Sequence, residues 1–415
     1  MARVVIVGSG VIGLCVADAC RRQGHAVTLL DRQPEARDGC SFGNAGMVVP
    51  SHFVPLAAPG MVALGLKWMW NPESPFYVKP RLDPALMRWG WHFWKASTPA
   101  RVRQAAPLIR DLSLASRQAF VELAREGLDF GLVEKGLVML CKTAHGVEEE
   151  ARTAEQARAL GIPAEVLDPA QLARLDPGVT MDVAGGVYFP KDCHLSPGRF
   201  MAAVQARLRE SGATFHWGTE VQGWHVAGGA VRAVETHTGT VEGDVFVLAG
   251  GSWSPGTSHG LQLDLPMQAG KGYSLTLARP RQLPAICSIF TEARVAVTPM
   301  GGSLRFGGTM EIAGLNEDIN PVRVRGIVKS VPAYYPAFEK GDFDGVQPWR
   351  GLRPCTPDGL PYLGRSKAHP NLVVATGHAM MGLSLAPITG RIVADLVDGR
   401  RPGIDLALLD PDRFA

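Results

Sequence analysis

The stretch Arg3-Val4-Val5-Ile6-Val7-Gly8-Ser9-Gly10-Val11-Ile12-Gly13 decides how this chain is read. Arg3 to Val7 is apolar and β-branched, which suits a short buried parallel strand. The G-x-G-x-x-G at Gly8, Gly10 and Gly13 predicts a tight turn opening a helix that ends near Gly24. A second apolar run, Ala26 to Leu30, ends on Asp31 and Arg32. Strand, glycine turn, helix, strand and acid in this order predict a βαβ unit that cradles an adenosine diphosphate. Glycines let the backbone turn and approach a pyrophosphate, the helix N-terminus adds positive charge, and Asp31 can accept hydrogen bonds from a ribose diol. Ser9, Val11 and Ile12 complete the turn. The motif alone leaves FAD and NAD both open, since each contains adenosine diphosphate.

Outward from this unit, the whole chain of 415 residues is long enough for two domains. Its 46% apolar and 20% charged composition suits a soluble globular protein. A net charge of +3 without Lys/Arg runs argues against a nucleic-acid partner. Cys15, Cys20, Cys40, Cys141, Cys193, Cys287 and Cys355 are odd in number, scattered and free of C-x-x-C pairs. No disulfide framework or zinc site is expected, no other metal-ligand spacing is evident, and a reducing cytoplasm fits. The glycines at 8, 10 and 13 interrupt what a signal peptide would need as an apolar run.

The chain is expected to leave the nucleotide unit near Pro50 and return twice. Ser196-Pro197 caps a helix with Phe200, Val204 and Leu208 on one face. Strands between Ala213 and Thr240 form a meander, and Asp244 to Leu248 is a buried strand ending in Ala249-Gly250-Gly251. The last return is Leu372 to Ala375, then Thr376-Gly377-His378 and a helix with Leu385, Ile388, Ile392 and Leu396 as its buried stripe. Elsewhere a helix is predicted from Pro107 to about Arg125, a strand from Leu132 to Cys141 and a helix from Glu148 to Leu160. The expected division is a nucleotide domain of residues 1–50, 190–258 and 347–415, interleaved with a second domain of residues 51–189 and 259–346. The fold class is α/β with a doubly wound, Rossmann-like domain beside a mixed α+β domain.

Three further features favour a flavin. Ser41-Phe42-Gly43-Asn44-Ala45-Gly46 offers backbone N–H groups soon after Asp31, with Ser41, Asn44, Ala45 and Gly46 as candidate contacts. Ala249-Gly250 lets the backbone pass close to the cofactor. Gly377 precedes a helix starting near Met381-Gly382-Leu383, whose N-terminus can stabilise negative charge on a reduced isoalloxazine. Each read alone is also an ordinary loop or strand end.

At this point the sequence resembles the D-amino-acid oxidase and glycine oxidase superfamily, and within it the bacterial D-amino acid dehydrogenases, including those acting on D-proline and hydroxyproline. The resemblance rests on the opening motif, Asn44-Ala45-Gly46, Ala57-Ala58-Pro59-Gly60 with Lys67-Trp68, Lys271-Gly272-Tyr273-Ser274-Leu275, Gly307-Gly308-Thr309-Met310-Glu311, Trp349-Arg350-Gly351-Leu352-Arg353-Pro354-Cys355-Thr356-Pro357-Asp358-Gly359 and Thr376-Gly377-His378. Their collinear order gives the match its specificity. It implies a nucleotide domain of the GR2 type, noncovalent FAD, a small amino-acid substrate oxidised to an imine, and a separate electron acceptor such as a membrane quinone.

The resemblance also implies that the arginine of the G-L-R-P motif, Arg353, binds the substrate carboxylate, a task a planar guanidinium performs bidentately. Arg350 is the alternative for that task. The Tyr273 hydroxyl is expected to assist Arg353, and His52 and His378 are secondary candidates to orient substrate or accept its proton. Trp68, Trp70, Trp89, Trp91 and Trp94 crowd the segment 61–94, where Leu86, Trp89 and Phe93 share a helical face. That face packs on a core or, in the alternative, seats the protein peripherally on the inner membrane. The rival functions left open are an oxygen-using glycine or sarcosine oxidase, a nicotinamide dehydrogenase and a flavoprotein subunit of an electron-transfer complex.

Overall fold

Apolar strands that need cover on both faces build the first sheet of the computed structural model, which describes residues 1–68 and 73–415. Its order is Tyr362–Arg365, Leu372–Thr376, Val245–Leu248, Arg3–Val7, Ala26–Leu30 and Thr214–His216, with Tyr362–Arg365 antiparallel at one edge and the others parallel. Val4 and Ile6 face one core, under the helices Val11–Arg22 and Gly382–Val397, while Val5 and Val7 face another with Phe246, Leu248 and Val374. The two helices touch closely, since a Cβ on Gly390 would stand 2.4 Å from the Cys15 carbonyl. The segment Ala379–Val397 is apolar and long enough to cross a membrane, and most of it is buried in this packing.

The second sheet runs Trp349–Cys355, Gln268–Leu277, Ser303–Ile312, Val295–Met300, Cys287–Phe290, Leu137–Cys141, Gly185–Phe189 and Glu165–Leu167, with Phe76–Val78 added in parallel to Ser303–Ile312. Phe290, Phe306, Tyr334, Tyr335 and Phe338 fill its core. Two segments cross the division expected from sequence. Trp349–Cys355 pairs with Gln268–Leu277, Arg353 opposite Gly270, and covers what would otherwise be an open edge of the second sheet. A single bridge, Cys355 to His378, ties that strand to the last turn of the first sheet. The helix expected from Pro107 spans Pro99–Arg125, because Thr98 caps it by accepting from the Arg101 N–H at 3.2 Å, with proline at its first position. It sends Leu112, Phe120 and Leu123 into the first sheet's core.

The tryptophan segment divides by helical face. In the helix Pro84–Ala96, capped by Asp83, Trp89 is buried, stacks on Phe93 at 5.0 Å and donates from Nε1 to the Cys355 carbonyl at 2.9 Å. Leu82, Met87, Trp91 and Trp94 stay exposed. Trp70 lies outside the described residues.

Candidate active site

A groove of about 280 Å³ runs along the carboxyl ends of the first sheet's strands, lined by Gly8, Gly10, Val11, Ile12, Asp31, Arg32, Ser41, Asn44, Ala249, Gly250, Gly377, Gly382 and Leu383. Gly8 has φ +105° and no room for a side chain, since its Cβ would stand 2.5 Å from the Ala249 carbonyl oxygen. Gly13 stays out of the groove and packs helix on strand, with a Cβ there only 1.9 Å from the Gly8 oxygen. Ser9 is buried behind the wall and holds the acid, its N–H and hydroxyl both donating to Asp31 Oδ2, at 2.8 and 2.5 Å. Arg32 covers the ring of Trp253 at 3.9 Å. Ser41 Oγ accepts from the Val11 N–H at 3.1 Å.

This donor set fits FAD. Main chain without side chains and a helix start surround the place for a pyrophosphate, and Asp31 lies at the ribose end. Gly377 and the start of the helix Gly382–Val397 lie where the groove meets a second cavity. Besides Ser9 and Gly13, three further expected contacts fall outside the groove. Ala45 and Met381 line the second cavity. Gly46 lines neither, because at φ +76° its Cβ position lies 2.3 Å from the Leu195 oxygen, and Asn44 Oδ1 folds back to accept its N–H at 2.8 Å.

The second cavity, about 360 Å³, has walls such as Met47, Val49, Leu56, Phe76 and Met139, with Arg353 and His378 shared between it and the groove. Arg353 occupies space that a glycine diagonal to it on the neighbouring strand leaves free: a Cβ on Gly272 would stand 2.2 Å from its Nη2. Its Nη1 donates to the Thr309 carbonyl at 2.7 Å. Thr309 sits where the pairing of Ser303–Ile312 with Gln268–Leu277 slips by one residue, at φ +63°, so this bulge turns a carbonyl toward the arginine. Among the described residues no carboxylate pairs with Arg353.

Two expectations change here. Arg350 is committed elsewhere, pairing with Asp38 at 2.5 Å and Glu317 at 3.4 Å, and it lines the groove but not the second cavity. The Tyr273 hydroxyl donates to Glu311 at 2.7 Å and accepts from the Asn320 N–H at 3.2 Å. Tyr273 lines the second cavity together with Arg353, but its hydroxyl is held by Glu311 and Asn320 rather than by Arg353.

His52 lines the second cavity, its Nδ1 3.0 Å from Ser51 Oγ. That hydroxyl is in turn 2.5 Å from Oδ2 of the buried Asp192, whose Oδ1 accepts the Ser51 N–H at 3.1 Å. Burial, reinforced by the nearby Arg294, pulls His52 down to about 4, and burial pushes Asp192 up to about 7. His378 is pulled down to about 3 by burial and places Nε2 3.1 Å from Thr389 Oγ1. Sequence reasoning had assigned nothing to Ser51, Asp192, Thr309 or Arg294. Asp192 sits in a turn between strands, where an acid draws no notice.

Fold and site together define a dinucleotide-dependent oxidoreductase with an arginine at the inner end of its cofactor groove. The chain belongs to the DAO family, described as FAD dependent oxidoreductase, whose profile matches residues 3–396. It is 35% identical over 418 residues to the D-amino acid dehydrogenase of Cereibacter sphaeroides, covering 99% of this chain and 95% of that one. It is 36% identical over 415 residues to that of Methylobacterium radiotolerans, covering 98% of each. The crystal structure of glycine oxidase from Geobacillus kaustophilus superposes with a TM-score of 0.78 at 26% identity over all of both chains. L-proline dehydrogenase from P. horikoshii shares the fold, with a TM-score of 0.76 at 17% identity over 100% of this chain and 97% of that one.

Proposed function

We propose that this FAD-dependent oxidoreductase dehydrogenates a D-amino acid, giving an imine that water converts to the keto acid or, for D-proline or hydroxyproline, that stays in the ring. The observation that carries the reading is Arg353: half-buried, unpaired with any described carboxylate, at the junction of groove and cavity, with one nitrogen braced by Thr309. Its remaining N–H groups can grip a carboxylate bidentately and fix which face of the α-carbon meets the groove. The D configuration is supported by the names of relatives at 35% and 36% identity.

FAD, when bound, supplies the two-electron acceptor for the α-hydrogen leaving as hydride. The chain's own contribution is positioning and proton handling. With Asp192 ionised, its carboxylate accepts from the Ser51 hydroxyl, and Ser51 Oγ accepts from His52 Nδ1–H. That assignment leaves His52 Nε2 as a neutral hydrogen-bond acceptor that orients the substrate amine, while burial and Arg294 keep the imidazole from holding its proton. Apolar walls keep the cavity poor in water, which favours the neutral amine.

The test is anaerobic bleaching of the flavin across D- and L-amino acids, glycine, sarcosine and the prolines. D-amino acids should bleach it, and Arg353→Ala should keep its flavin while the half-saturating concentration rises roughly 100-fold, the worth of a lost charge-assisted contact. Bleaching by glycine or L-amino acids alone would overturn the reading. For the electron acceptor we infer a membrane quinone, and for localisation a cytoplasmic protein seated peripherally on the inner membrane, supported by exposed Leu82, Met87, Trp91 and Trp94. Failure to co-sediment with anionic lipid vesicles would count against that seating.

A further inference from the structure

The cavity beside the groove carries two arginines, Arg294 and Arg353, and no carboxylate among its described lining residues. If Arg353 grips the α-carboxylate, as the proposed function on which this inference rests requires, Arg294 is left over. It forms no hydrogen bond or ion pair with any described residue. Its placement is nonetheless specified. It immediately precedes the strand Val295–Met300, at φ +53°, a left-handed backbone that residues with a Cβ adopt only where the surroundings impose it.

Those surroundings are the bulge that also holds Arg353. The Arg294 carbonyl oxygen lies 3.3 Å from where a Cβ on Gly308 would be, and the next residue, Thr309, turns its own carbonyl to Arg353 Nη1 at 2.7 Å. Both Arg294 and Thr309 are left-handed, at +53° and +63°. One irregular point of the sheet therefore anchors both arginines against the same apolar cavity. Arg294 and His52 line the same cavity, where one cation disfavours a second on the imidazole. Glu150 also senses Arg294 but lies beyond ion-pair distance of it. Arg294 is exposed, so water solvates its guanidinium in the open cavity, and an anion on the ligand can replace that water with a charge-assisted contact.

We propose that Arg294 binds a second carboxylate, on the side chain of the substrate, so that the preferred substrates are acidic D-amino acids of the aspartate and glutamate type. The methylenes between the two carboxylates lie against the apolar walls, and the amine lies on the His52 side. The same charge balance disfavours D-lysine and D-arginine.

The experiment compares half-saturating concentrations for anaerobic flavin bleaching of the holoenzyme by D-glutamate, D-aspartate, D-alanine, D-leucine and D-lysine. A binding readout runs beside it: perturbation of the flavin spectrum by α-methylglutamate and by 2-aminoisobutyrate, neither of which has an α-hydrogen to lose. The dicarboxylic members should act at concentrations roughly tenfold or more below the monocarboxylic ones, the scale of one charge-assisted contact. Arg294→Gln should erase that preference in both readouts, and Arg294→Lys should keep part of it. Absence of the preference in the wild type overturns the proposal, as does an Arg294→Gln variant that weakens mono- and dicarboxylic ligands alike, which would place Arg294 at the α-carboxylate or in an ion pair with Glu150. If no D-amino acid bleaches the flavin and neither probe perturbs its spectrum, the proposed function fails together with this inference.

Discussion

In the groove, glycine-rich main chain is offered to a cofactor at Gly8 and Gly10, at Ala249-Gly250 and at the turn at Gly377. The adjoining cavity has methionines and aliphatics as walls, with His52, His378, Arg294 and Arg353 among its polar points. The groove gathers at the ends of neighbouring parallel strands, whereas the cavity draws short runs of residues from widely separated turns and strands. Where main chain forms the wall there is little room for variation, as at Gly8, whose added Cβ would strike the Ala249 carbonyl. A site made of side chains can be retuned by single substitutions, so the first region sets the cofactor and the second sets the substrate.

The largest effect expected from this contrast belongs to Gly13→Leu. With a Cβ position 1.9 Å from the Gly8 oxygen, the helix must lift from the strand, costing about 3 kcal/mol or more. Purified protein should carry no flavin and melt well below the wild type; a variant that retained stoichiometric flavin would break the contrast. Next in size is Gly272→Val, which puts carbon into the space of the Arg353 guanidinium without touching the groove. Flavin content should hold while the half-saturating substrate concentration rises roughly 10- to 100-fold, as for a displaced charge-assisted contact. Loss of flavin instead would show that the two regions are not separable.

Smallest is the effect of Asp192→Asn. Burial raises the folded-state value of Asp192 to about 7 from an ordinary 3.8, so the proton it retains stabilises the fold fully below that ordinary value. That stability is lost as pH rises through about 7. The variant has no such proton to lose. Its melting temperature relative to wild type should therefore climb by a few degrees between acid and neutral pH, while its flavin content stays the same. A constant offset across that range would mean that Asp192 titrates normally.

How much was legible follows the same contrast. Gly8, Gly10, Asp31, Ala249 and Gly377 could be read from the chain because each constraint is local: a turn after a strand, or an acid ending one. Arg353 was legible only through its motif. The partners of the Tyr273 hydroxyl, Glu311 and the Asn320 N–H, could not be read from the chain because they depend on strand pairing and on a distant turn. Arg294 looks like any arginine between strands; its backbone conformation and its want of a partner exist only in three dimensions. The helix start at Pro99 was overlooked because Pro107 also resembles a first-turn proline, although the chain carries Pro107 inside the helix.

The order of strands in the first sheet has a consequence for how the protein is made. Arg3–Val7 sits between Ala26–Leu30, which follows it at once, and Val245–Leu248, which arrives far later; the hydrogen bond from the Arg3 N–H to Asp244 spans 241 residues. At a synthesis rate of about 5–20 residues per second, one edge of the founding strand waits roughly 10–50 s on the ribosome for its neighbour. During that time it is an apolar, unpaired strand edge of the kind that recruits other chains. The expected outcome is that yield on overexpression responds to translation speed and chaperone supply more than to substitutions in the finished cavity.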